Sequence, residues 1–94
     1  MVIKEQWLID MGNRWCERES YNLIKHNMID QVLKLKAEKD HKEWIIEFTP
    51  NPETKKKCIE IEVVLKDRYG AFIERETWEY YNQKKESVYE NQSN

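Results

Sequence analysis

Few side chains in this sequence have the type and spacing that chemistry needs. His26 and His41 are its two histidines, and neither stands at metal-ligand spacing from Cys16 or Cys58. His41 follows Asp40 in a polar run and reads as a solvated turn residue. His26 reads as lying near a helix end, where an imidazolium is favourable. The two cysteines are far apart with no histidine beside them, so they read as reduced thiols rather than a redox pair or a nucleophile. Ser20 and Ser87 lack a nucleophile-elbow context, and two isolated glycines cannot build a phosphate loop. Glu60 and Glu62 alternate along an expected strand, which sets both carboxylates on one face ~7 Å apart. That spacing suits paired acid–base work, but any solvated strand face shows it. The reading is a non-enzymatic protein with no cofactor and no metal.

Aromatic content is the anomaly. Eleven of the 94 residues are Trp, Tyr or Phe, four of them Trp. Each hides ~150–250 Å² when buried, and so small a core cannot easily cover them all. Trp7, Trp15, Trp44 and Phe48 suit the core. Trp78, Tyr80 and Tyr81 fall within four residues, close to Arg75, Glu76 and Glu79, while Tyr69 lies in a turn. On a helix or a strand, part of this cluster faces outward. Trp, Tyr and Arg are the residue types enriched at interface hot spots. Tyr69, Arg75, Trp78, Tyr80 and Tyr81 are therefore the expected partner-binding residues, most simply in a two-fold homodimer. The competing explanations are that they finish the core, or that they stack single-stranded nucleic acid with Lys55–Lys57, Lys84 and Lys85 supplying charge. Glu74, Glu76 and Glu79 would repel phosphate.

Hydrophobic periodicity supplies the elements that must hold these residues. Ile3, Trp7, Met11 and Trp15 form an i, i+4 ladder widened by Leu8, which predicts a helix over 3–17. Gly12 weakens it by ~1 kcal/mol relative to Ala. A second short helix is expected at 20–28, N-capped by Ser20. Leu33, Leu35 and Ala37 alternate with polar residues, as do Trp44, Ile46 and Phe48. A turn at Lys39–Lys42 then pairs Ala37 with Trp44, Leu35 with Ile46 and Leu33 with Phe48, all on one face. Thr49–Glu53 reads as a break. A third strand at 57–66 presents Ile59, Ile61, Val63 and Leu65. A loop with Gly70 left-handed would pair Leu65 with Ile73. Beyond Arg75 the alternation fails, so residues 76–90 read as a C-terminal helix capped by Thr77, with a longer strand through Tyr81 as the competing reading.

The expected fold is α+β. It has an antiparallel sheet of three to four strands (31–38, 43–49, 57–66, 71–76), covered on one face by N-terminal helices and a C-terminal helix. Residues 1–90 form one domain and 91–94 a frayed tail. The charges balance: 16 Lys and Arg against 18 Asp and Glu, evenly spread between the halves, which disfavours non-specific DNA binding. The start suggests no signal peptide, and no apolar run is long enough to span a membrane, so a cytoplasmic location is expected, the host cytoplasm if the protein is viral. Abundant Lys, Glu, Ile, Asn and Tyr fit an AT-rich genome, and the small size suits a phage or mobile element. The functional expectation is an interaction or regulatory module that binds a protein partner or itself. A single-stranded nucleic-acid binder is the alternative.

Overall fold

A computed structural model describes residues 3–51 and 58–81. One helix, α1 (Glu5–Arg18), precedes five strands: β1 (Asn22–Ile29), β2 (Val32–Lys39), β3 (Lys42–Asn51), β4 (Cys58–Asp67) and β5 (Phe72–Tyr81). The strands form one antiparallel sheet in chain order. This corrects the expected three to four strands under several helices: among the described residues the cover is a single helix, and residues 22–28 and 76–81 are strand.

The apolar ladder makes α1 amphipathic. Trp7, Leu8, Met11, Trp15 and Cys16 are buried on its inner face, and Glu5 and Arg18 stand at the ends where their charges suit the helix dipole. These side chains meet Leu33, Leu35, Ala37, Ile46, Phe48, Ile59, Ile61, Val63 and Leu65 from the sheet. Gly12 lets the helix approach closely. A Cβ built there would lie 2.7 Å from Leu33 Cδ2 and 3.2 Å from Leu35 Cδ1.

Ser20 does not open a second helix; it closes the first. Its φ of 65° is left-handed. Tyr21 N–H donates to the Cys16 carbonyl at 2.8 Å and Ser20 N–H to the Glu17 carbonyl at 3.3 Å, the paired bonds of a Schellman stop. The chain then turns into β1 and comes back as β2 through Asp30 and Gln31, both at positive φ. A bulge between Leu23 and Lys25 shifts the phase of β1. That extra residue breaks the two-residue alternation: Leu23 and His26, three apart, register with Ala37 and Leu35, while Ile24 is half exposed, so the helical spacing of Tyr21, Ile24 and Met28 does not mark one buried face.

The β2–β3 register is the one that the hydrophobic pattern predicts: Leu33 opposite Phe48, Leu35 opposite Ile46, Ala37 opposite Trp44. Asp40 and His41 make its two-residue turn at φ 55° and 62°. β3 runs on to Asn51, into the first three residues of the expected break. Pro50 is tolerated because the β2 pairing has already ended at Phe48.

After Gly70 at φ 88°, Leu65 pairs with Glu74 rather than Ile73, and Lys66 with Phe72, because a bulge intervenes. The strand continues to Tyr81, so the helix expected from Thr77 does not form there. Its Thr, Trp and Tyr residues favour a pleated surface. The alternation fails because its helix-side positions include Glu74 and Glu76, and Glu76 Oε1 accepts a hydrogen bond from Trp15 Nε1 at 2.9 Å. The rest of the expected C-terminal helix, the 91–94 tail, Lys55–Lys57, Lys84 and Lys85 lie outside the described residues.

Candidate interaction surface

Four of the five expected partner-binding residues, Arg75, Trp78, Tyr80 and Tyr81, belong to β5. Tyr69 lies in the loop that leads into it and is 78% exposed. The structure does not gather them into one patch. Arg75 registers with Val64 on the sheet face away from α1, whereas Trp78 registers with Ile61 on the helix side. Trp78 is half-buried against the core, and the Arg18 guanidinium stands 4.1 Å from its ring centroid. Arg75 forms an exposed ion pair with Glu62 at 3.6 Å and lies 5.6 Å from the Phe72 ring. The backbones of Tyr80 and Tyr81 pair with Ile59 and Cys58. Tyr69 stands at the opposite end, since β5 is ~30 Å long at strand rise.

What unites the β5 residues is position in the sheet. Among the described residues β5 has a strand on one side only, β4. The other side presents a row of backbone N–H and C=O groups over ten residues without proline. β1 is the other edge, but its bulge divides it, and Lys25 and His26 stand at its centre. The irregularity of β5 falls at its start, near Phe72, leaving Glu74–Tyr81 in unbroken register. The signal that sequence reasoning lacked is the strand order itself. Phe72 and Ile73, which that reading also passed over as binding residues, are 58% and 47% exposed beside Tyr69. There a pocket of about 490 Å³ is lined by Lys42, Trp44, Arg68, Tyr69 and Ile73 among others.

The outward sheet face is charged and self-paired. One row across the strands reads Lys25, Lys36, Ile45, Lys66, Phe72, and the next Asn27, Lys34, Glu47, Val64, Arg75. Glu47 binds Lys66 at 2.8 Å and Lys34 at 3.4 Å, and Lys36 meets Glu43 at 3.5 Å. Burial pushes the Glu47 carboxyl up, but these two lysines outweigh it and hold the group below the ordinary carboxylate value.

The sequence's other candidate groups are dispersed among the described residues. Cys16 is buried in the core, and burial pushes its thiol up to about 11, which suppresses the reactive thiolate. Cys58 has its backbone in β4. His41 is exposed in the β2–β3 turn, and His26 is exposed in mid-β1 rather than at a helix end. Glu60 and Glu62 face Glu79 and Thr77 across the strand pair. No group of three or more His, Cys, Asp or Glu able to hold a metal occurs among the described residues. No described helix is long and apolar enough to cross a membrane. Comparison with protein-family models, curated proteins and solved structures gives no match.

Proposed function

We propose that this chain is a small non-enzymatic protein-interaction module of the cytoplasm that receives an extended segment of a protein along the edge of β5. One observation carries the reading: a ten-residue edge strand, free of proline, holds the outward Arg75 and the surplus aromatics of the sequence. Main-chain hydrogen bonds to such an edge supply affinity, and alternate side chains supply selectivity. Photo-cross-linking in the native host tests it. A benzophenone amino acid at exposed Thr77 should form a protein adduct. The same group at exposed Asp10, on α1, should not. Equal labelling at both positions, or none at Thr77, overturns the reading.

A second reading, single-stranded nucleic-acid binding, draws on the row of Lys25, Lys36 and Lys66 with Phe72 on the outward face. Against it, Lys34, Lys36, Lys66 and Arg75 already pair with carboxylates of the same chain. Oligonucleotide affinity that falls steeply with added salt would favour this reading instead.

A further inference from the structure

We infer that the occupant of the β5 edge is β5 of a second copy, joined antiparallel about a two-fold axis at Thr77 to make one ten-stranded sheet. The inference rests on the edge-binding reading above and adds a partner and a register. An isologous pair places residue i of one copy opposite residue j of the other, and the sum of i and j is constant. An axis perpendicular to the sheet keeps both residues on one face, so the centre falls on a residue.

The charges of β5 choose among the centres. Centring on Arg75 sets two arginines opposite each other and Glu74 opposite Glu76. Centring on Glu76 or on Glu79 opposes two carboxylates at the axis. Centring on Trp78 opposes the two tryptophans and forms no ion pair. Centring on Thr77 sets Thr77 opposite Thr77 and Arg75 opposite Glu79, twice by symmetry. Opposite charges directly across an antiparallel pair are stabilising and like charges are destabilising. Arg75 is able to re-pair, because its present contact with Glu62 is long, 3.6 Å, and both side chains are about half exposed. The same register sets Glu76 beside Trp78 along the helix-side row.

The symmetry makes the test a charge exchange. In Arg75→Glu every cross-axis pair becomes Glu opposite Glu. In Glu79→Arg every such pair becomes Arg opposite Arg. Mixing the two variants gives a heterodimer in which both pairs are again opposite in sign. Sedimentation equilibrium of the full chain should show twice the 11.6 kDa chain mass at high concentration and dissociation on dilution. Each variant alone should dissociate at a concentration at least tenfold higher than the unsubstituted chain, with an unchanged circular dichroism spectrum. An equimolar mixture should recover the original midpoint. A single-chain mass for the unsubstituted protein up to millimolar concentration overturns the inference. The edge-binding reading then stands or falls on the Thr77 cross-link, where a partner of another mass would be captured. Dimers that survive both single variants, or a mixture that fails to recover, overturn the Thr77 register.

Discussion

Gly12 shows how one residue can be misread when its neighbours in space are unknown. On helix propensity alone, Gly12→Ala should gain about 1 kcal/mol. The built Cβ, however, meets Leu33 and Leu35, both fully buried, so neither leucine can swing into solvent. Overpacking a filled core costs ~1–3 kcal/mol. The expected net result is a loss of about 1 kcal/mol, read as a lower urea midpoint at unchanged slope. A higher midpoint would mean that the leucines yield. In sequence Gly12 looks like a flaw in an otherwise strong helix. Its reason lies at Leu33 and Leu35 on β2, and the 3.6-residue pattern cannot display it.

Elements were legible where their pattern was unbroken. The ladder from Ile3 to Trp15 and the alternation in β2, β3 and β4 follow directly from which side chains must leave water. β1 was illegible as a strand because a bulge shifts its phase, and β5 was legible only over 71–76, its run to Tyr81 being the competing reading, because glutamates occupy inner positions. The joints tell the same story. Ser20 and Gln31 hold φ of 65° and 66° without being glycine, so the usual turn signal is missing there, whereas the turn at His41, φ 62°, is placed by the alternation on either side of it. An L-residue with a side chain pays ~1–2 kcal/mol there, and glycine does not. Ser20→Gly, Gln31→Gly and His41→Gly should therefore each raise stability by roughly 0.5–1 kcal/mol, after the greater freedom of the unfolded glycine chain is deducted. Thermal melts check this, with Lys36→Gly in mid-β2 as the opposite case. Any of the three that lowers the melting temperature would show that its side chain makes a contact worth more than the backbone strain.

At the scale of the molecule, stability should be bounded by pH on both sides. Glu47 titrates below its ordinary 4.5 because Lys66 and Lys34 outweigh its burial. Its stabilisation is complete above the unfolded value and is lost as pH falls through the folded one, so the acid limb begins near 4.5 and descends. Cys16 is displaced the other way, from 9.0 to about 11, and burial raises Tyr21 from 10.0, with help from nearby Glu74 and Glu19. A raised acid keeps its full contribution below the unfolded value, so the alkaline limb falls from about 9 as the unfolded thiol ionises first. Melting temperature against pH should thus show a plateau between these limbs. Glu47→Gln should flatten the acid side and Cys16→Ala the alkaline side; a limb that stays in its variant belongs to other groups. The candidate surface was half legible at this scale. Composition exposed an aromatic surplus around Trp78, but only the order of strands makes β5 an edge, and no residue in β5 encodes that by itself.

The meander also sets a timetable. Each strand finds its sheet partner immediately next in the chain, so every hairpin closes a short loop and can form within ~1–10 μs. The helix meets its own chain neighbour mainly at its end, where the Trp15 ring stacks on Tyr21, and most of its core partners lie further on. Its stripe of Trp7, Leu8, Met11 and Trp15 is synthesised first, yet Leu33, Leu35 and Phe48 must be made and paired before it has a surface to cover. During translation α1 thus emerges ahead of the β2–β3 hairpin and waits, greasy side bare, for it.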